Sequence, residues 1–320
     1  MHRMLRAGVA VALLIAFAAS AQTVPNKPLR MVAGMAAGGG ADVNARRLSQ
    51  ALGKLLKQNV VIENIAGGAG NLAAQTVAGV GADGNTLLFA SHPILAINPL
   101  LYEKLPFSPD QLTPVVLVSH SPHILLVNQQ VPATTLAEFL RYAKSKPGAI
   151  NYGSGGTGTS IHLAGELLQS MTGVSFVHVP YRGAGPAFTA LLGNEIQFIF
   201  DSSLTSVGHV RGGRVRGLAV GSATRLAVLP DMPTFNESGV PGFESAVSHG
   251  ILANAATPPE RIAQINRAIH EVLADPEYRK QMAELGVVLV GGTPDQFTQY
   301  LANERRKWGD VIHKRGIKVE

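Results

Sequence analysis

At 320 residues, 46% hydrophobic and 15% charged, the chain has the length for two domains and enough apolar side chain to bury a core, which excludes global disorder. It has no cysteine, which removes disulfide frameworks, iron–sulfur clusters, thiolate zinc sites and cysteine nucleophiles together. The 27 Lys and Arg exceed the 21 Asp and Glu by a formal +6, with no basic run of the kind nucleic-acid-binding tails carry, so no nucleic-acid partner is expected and small anions are weakly favoured.

The first segment is an export signal by pattern. Arg3 and Arg6 precede an apolar run from Ala7 to Ala19, and Ala19-Ser20-Ala21 has the small-residue spacing a signal peptidase reads. Residues 1–21 are therefore expected to be removed, with Gln22 as the mature start. The run falls short of the roughly 20 residues a membrane-spanning helix needs, and no later segment is longer, so no anchor is expected.

From Leu29 onward, β-rich runs alternate with helical patterns and glycine-rich connections, which predicts an α/β chain with a mostly parallel sheet. A strand over 29–33, a helix over 42–56, a strand over 59–65, a helix over 71–80 and a strand over 86–90 form a first βαβαβ unit. A second unit follows. Strands are expected over 115–118 and 124–127, then a helix presenting Leu136, Phe139, Leu140 and Ala143 on one face and stopped at Pro147-Gly148. A strand over 150–152, a glycine loop, a helix over 160–171 and strands over 176–179, 197–200 and 215–220 come next; residues 230–242 read as irregular, and helices over 259–273, 276–285 and 294–311 close the chain.

Most catalytic patterns fail on inspection. Gly68-Ala69-Gly70-Asn71-Leu72-Ala73 and Gly153-Ser154-Gly155-Gly156-Thr157-Gly158 match a dinucleotide fingerprint, but the following strands end in Ala90-Ser91-His92 and Val179-Pro180-Tyr181 without the acidic residue that holds a ribose. There is no G-x-S-x-G element and no Walker A motif. Pro122 forbids helical presentation of His120 and His123 to a metal, and no acidic cluster accompanies them. His162 and His178 read as structural hydrogen-bonding residues, while Asp201 reads equally as a buried helix cap or as a carboxylate facing a cleft.

What remains is the stretch from Ser154 through Thr157, Gly158 and Thr159 to Ser160, leading into a helix. Glycines let backbone N–H groups converge, the helix start carries partial positive charge, and the hydroxyls add donors, which together suit an anion. Simple capping by Thr159 or Ser160 is the plainer account of the hydroxyls alone. Gly38-Gly39-Gly40-Ala41-Asp42 repeats the device in the first unit, where Asp42 reads either as a cap or as a contact. Two anion-friendly helix starts, one per unit, suggest a carboxylate held between two lobes.

At this point the chain resembles a known family, the substrate-binding receptors of tripartite tricarboxylate transporters, the Bug or TctC-like periplasmic proteins. The resemblance runs through Lys27-Pro28-Leu29-Arg30 with the Gly38–Asp42 turn, Asp83-Gly84-Asn85-Thr86-Leu87-Leu88, Ile97-Asn98-Pro99 and Asn151-Tyr152-Gly153-Ser154. It continues through the segment from Gly158 to Glu166, His178-Val179-Pro180-Tyr181-Arg182-Gly183 and Leu229-Pro230-Asp231-Met232-Pro233-Thr234. It implies a two-lobed Venus-flytrap fold of the type II periplasmic-binding kind, each lobe a sheet flanked by helices, with residues 22–122 plus 250–320 as one lobe and 123–249 as the other. It implies a monomeric periplasmic receptor that catches a small carboxylate for membrane transporter subunits, without catalysis, cofactor or metal. A sensor serving a signalling partner and an enzyme on the same scaffold are the alternatives. Carried over as ligand contacts are Gly38, Gly39, Asp42 and Ser91 in the first lobe, and Ser154, Thr157, Gly158, Thr159, Tyr181, Arg182, Gly183 and Asp201 in the second, Arg182 being the cation placed to meet a second carboxylate. The chain departs from the pattern at Gly34-Met35-Ala36-Ala37, at Ala41 in place of a frequent Thr, and at Ser248-His249-Gly250 in place of a frequent aromatic pair, which implies a wider or more polar cleft floor.

Overall fold

The computed structural model describes residues 27–38 and 40–319. The expected signal peptide, residues 1–21, and Gly39 lie outside the described residues.

The chain opens with β1 (Leu29–Ala33), α1 (Gly40–Leu56), β2 (Val60–Asn64), α2 (Asn71–Ala78) and β3 (Thr86–Ser91), the strands pairing in parallel in the order β2-β1-β3. In α1, Ala45, Leu48 and Leu52 recur at helical spacing and are buried against β1 and β3, so the burial of one stripe docks the helix. Two short helices, α3 (Pro93–Ala96) and α4 (Asn98–Leu101), then lead to β4 (Leu112–Val127).

β4 is 16 residues long and organises the rest. Its first part pairs antiparallel with β9 (Ala246–Asn254) and β10 (Val288–Gly291), and its last five residues pair antiparallel with β7 (Phe198–Ser202) and β8 (Arg216–Val220). The second half of the molecule also holds α5 (Leu136–Ser145), β5 (Asn151–Ser154), α6 (Ser160–Thr172), β6 (Val177–Pro180), α7 (Ala184–Leu192) and α8 (Ser203–Arg211), with β5 parallel to both β6 and β7. After β9 come α9 (Pro259–Ala274), α10 (Pro276–Glu284), β10 and α11 (Pro294–Arg315).

Several expectations are corrected. The two strands expected at 115–118 and 124–127 are one strand, because the polar run His120-Ser121-Pro122-His123 is paired by β9 and by Ser245 instead of forming a turn. The sheet is mixed, not mostly parallel: parallel order holds within each half, while β4 and β9 join the halves antiparallel. Helices α7 and α8 and strands β9 and β10 were not expected. Gly183, Gly185 and Pro186 mask the start of α7, α8 is rich in Ser and Thr, and Ser248-His249-Gly250 interrupts the apolar pattern of β9.

Trp308, Val311 and Ile312 of α11 share one buried cluster with Leu163, Leu167 and Leu168 of α6, so the last helix belongs to the packing of both halves. Gly250 is where β9 passes under α11: a Cβ there would collide with the Phe297 ring and lie 2.9 Å from the Val116 carbonyl oxygen. We expect Gly250→Ala to lower stability by about 1–3 kcal/mol through overpacking. A lowered urea midpoint with an unchanged m-value is the result that fits, and an unchanged midpoint would show that Phe297 moves aside at no cost.

Candidate functional site

In open α/β sheets, ligands bind outside the carboxyl ends of the strands, where the strand order reverses. Here the topology brings two such edges together. Ser91, at the end of β3, is paired with His249, which pairs in turn with Ser119 of β4. Only four residues along β4, His123 pairs with Ser202 at the end of β7. The carboxyl ends of both halves therefore abut the same short piece of β4. Their loops meet there: a Cβ on Gly40 would lie 2.9 Å from Thr205 of α8, one on Gly158 would lie 2.5 Å from Leu101 of α4, and Ser203 Oγ donates to the Gly286 carbonyl oxygen at 2.7 Å.

The second-half loop is built from the inside out. Ser154 is wholly buried; its hydroxyl accepts from Gly156 N–H at 3.1 Å and lies 2.6 Å from His178 Nε2. Gly158 has φ +81 and donates its N–H to His162 Nδ1 at 3.0 Å. Thr159 caps α6, donating to Gly156 O at 2.7 Å and accepting from His162 N–H at 3.4 Å. Ser154, Gly158 and Thr159 thus shape the loop, and the capping account of Thr159 is the one the geometry supports. Among the described residues, the N–H groups of Thr157, Ser160 and Ile161 are not engaged by the loop itself. Thr157 is exposed at the tip.

Beside this loop runs the one after β6. A Cβ on Gly155 would lie 3.2 Å from Ala184 N and Gly183 C, so the loop before α6 runs close against the start of α7 and a side chain there would press on it. Gly183 has φ +111, α7 has no side-chain cap, and a Cβ on Gly183 or Gly185 would meet nothing within 4 Å, so the first turn of α7 faces open space. Tyr181 is half-buried and donates its N–H to Ser154 O at 3.0 Å, while Arg182 is exposed with no hydrogen bond or ion pair among the described residues.

The first half contributes differently. Gly38 (φ +85) stands in open space and donates its N–H to Asp42 Oδ2 at 2.9 Å. Asp42 also accepts from Arg46 at 2.8 Å and from Asn64 at 2.8 Å. Burial pushes its pKa up, but these bonds outweigh it and hold the carboxyl below its ordinary range. Asp42 therefore fixes the loop with a carboxylate already engaged. Asp201, buried in β7, accepts from Thr205 at 2.8 Å and Ser206 at 2.9 Å, and burial nevertheless raises its pKa. Ser91 is half-buried at its strand end.

The framework beneath the loops gave little signal in the sequence. Glu166 accepts from Tyr152 OH at 2.6 Å, from Gln169 at 2.8 Å and from Arg315 of α11 at 2.5 Å, clasping the two halves 149 positions apart. Along the shared strand, His123 Nδ1 lies 2.7 Å from Ser245 Oγ, and His120 Nδ1 lies 2.6 Å from Ser248 Oγ, which lies 2.7 Å from Tyr300 OH. Ser154, Ser245 and Ser248 are buried, so their pairing with histidine serves the framework. Among the described residues, no group of three or more His, Asp or Glu is arranged to hold a metal. The arrangement suits electrostatic capture of an anion by backbone N–H groups, helix starts and Arg182.

The chain matches the model of the tripartite tricarboxylate transporter family receptor over residues 44–317. It is similar to BugT of Bordetella pertussis, at 33% identity over 308 residues, 96% of this chain and 94% of that protein. Among solved structures it is similar to Rpa4515 of R. palustris with adipate, at 32% identity and a TM-score of 0.86, covering 92% of this chain and 99% of that one. MatC from Rhodopseudomonas palustris with bound malate is 31% identical with a TM-score of 0.80, covering 90% and 99%. The fold is accordingly the two-lobed one of periplasmic binding proteins, each lobe a sheet flanked by helices.

The buried histidines make acid a probe of this framework. Burial first, with neighbouring positive or titratable groups second, holds His92, His123 and His249 down to about 3 from an ordinary 6.5. The unfolded chain takes up these protons near pH 6.5 and the folded chain does not until about pH 3, so stability must fall as pH drops through that window. Well below 6.5, each such group costs roughly 1.4 kcal/mol per pH unit. Asp201 acts in the opposite sense, and the lowered Asp42 and Glu166 act only in stronger acid. We expect the melting temperature to decline steadily between pH 7 and 5, whereas a flat profile would contradict neutral burial of these rings.

Proposed function

This chain belongs to the tripartite tricarboxylate transporter receptor family, and we propose that within it the protein captures a small carboxylate between its lobes and presents it to membrane transporter subunits. It is a solute-binding protein of periplasmic type. The observation that carries the ligand class is the close approach of the loop before α6 to the start of α7, at Gly155 and Gly183, with N–H groups at Thr157, Ser160 and Ile161 unengaged and Arg182 unpaired among the described residues. Relatives solved with adipate and with malate support a dicarboxylate.

Thr157, Ser160 and Ile161 supply N–H donors to one carboxylate, and Gly183 and Gly185 keep the neighbouring helix start open to it. Arg182 meets a second carboxylate or polar group. Gly38, with Ser91, forms the opposing wall; Ser154, Gly158, Thr159, Tyr181, Asp42 and Asp201 hold that geometry. The lobes are taken as residues 22–122 with 250–320, and 123–249, with the paired segments Ser119–Pro122 and Ala246–His249 running between them. Closure about these segments would exclude water from the bound anion.

Thermal melting against carboxylates and uncharged controls tests the reading. A ligand at 100 times its Kd stabilises by about 2.7 kcal/mol, a shift of several degrees. Stabilisation confined to carboxylates is expected, and stabilisation by uncharged compounds alone would overturn the anion site. Arg182→Ala should weaken a dicarboxylate more than the matching monocarboxylate; equal losses would remove Arg182 from the ligand.

A further inference from the structure

His123 stands in β4 where the chain enters the second half, and its backbone is tied to the returning connection as well. Its N–H donates to the Ser245 carbonyl oxygen at 2.9 Å, and its own carbonyl oxygen accepts from Gly221 N–H at 2.8 Å. Ser245 immediately precedes the returning segment Ala246–His249. A Cβ on Gly221 would lie 2.7 Å from Ser245 O and 3.3 Å from His123 O, so these three stretches of chain are packed backbone to backbone.

The imidazole extends this tie to the proposed anion loop. Nδ1 lies 2.7 Å from Ser245 Oγ, and Nε2 lies 3.4 Å from the Oγ of Ser160, the first residue of α6. Thr159 already caps α6, so the helix start does not need the Ser160 hydroxyl, which has no other hydrogen-bond partner among the described residues. His123, Ser160 and Ser245 are all buried, so bulk water does not compete for either arm. A neutral imidazole carries one N–H and one bare nitrogen, and a serine hydroxyl either donates or accepts, so both arms are satisfied together in either tautomer. Ser160 and Ile161, two of the N–H donors assigned to the carboxylate, are thereby placed relative to the segments about which the lobes close.

We propose that His123 is a positioning residue for ligand capture: by bridging Ser245 at the return crossing to Ser160 of α6, it holds the anion-binding helix start in register with the hinge. This role rests on the carboxylate reading above and extends it to a side chain that acts through another instead of touching the ligand.

Calorimetric titration of a double-variant cycle with succinate, glutarate and adipate tests it, the tightest binder of the three serving as probe. Ser160→Ala and Ser245→Ala each remove one arm and leave every backbone N–H in place. Each is expected to weaken binding about threefold to tenfold, the effect of one lost hydrogen bond. The double variant should bind within about twofold of the weaker single, because a bridge cut at one end loses nothing more at the other. A merely structural role would lower the melting temperature and leave affinity unchanged, and that outcome for Ser245→Ala overturns the inference. Losses that multiply in the double variant overturn it as well, since they mark two independent effects. Melting curves show which variants fold; if Ser245→Ala does not, His123→Asn, which keeps a polar group near Nδ1 and loses the reach to Ser160, takes its place in the same cycle. Those outcomes leave the carboxylate reading standing, whereas failure of the unaltered protein to bind any of the three acids would overturn that reading and this role with it.

Discussion

Everything in this molecule depends on one strand shared by two half-sheets. β4 gives its first part to β9 and β10 and its last residues to β7 and β8, so the carboxyl ends of β3 and β7 must arrive at neighbouring positions on it. That single constraint explains why two separately built α/β units point their glycine loops at the same place. It also explains why the chain returns through Ser245, whose carbonyl accepts from His123 N–H at 2.9 Å and whose N–H donates to Gly221 O at 2.9 Å. α11, packed against both halves and tied to Glu166 through Arg315, limits how the lobes sit.

The chemistry of the site follows from what the framework consumes. Buried side chains at the cleft, among them Asp42, Ser154 and Thr159, are largely occupied by one another and by the loops they shape. Backbone N–H groups, two helix starts and Arg182 are what remain for a ligand. In the proposed site an anion would be bound by many small partial charges instead of one strong cation, by donors that the loops hold in place beforehand. The neutral histidines serve the same end: four uncharged rings, His92, His120, His123 and His249, fill the crossing with hydrogen-bonding surface that adds no competing charge near neutral pH.

Sequence patterning revealed the parallel units, because their strands are short apolar runs and their helices carry clear stripes, as Ala45, Leu48 and Leu52 do in α1. It also revealed the glycine loops, since Gly38, Gly158 and Gly183 occupy positive φ that other residues avoid. The shared strand was hidden. His120-Ser121-Pro122-His123 reads as a break, and partners far along the chain, such as Ser245 and Ser248, satisfy it. For the same reason the sequence offered Asp42 and Thr159 as contacts: nothing local shows that Asn64 and Arg46 occupy the carboxylate, or that Gly156 and His162 occupy the hydroxyl. Long-range satisfaction of polar groups is the part of the fold that period and propensity do not encode.

The most direct test of anion capture at the helix starts is an amide NMR titration with a carboxylate that stabilises the protein. The account predicts that the largest shifts fall on the amides of Thr157, Ser160, Ile161, Ala184 and Gly185, joined by those around Gly38. Shifts confined to another surface, such as the cavity lined by Arg211, Arg225 and Asp231, with those amides unmoved, would contradict it.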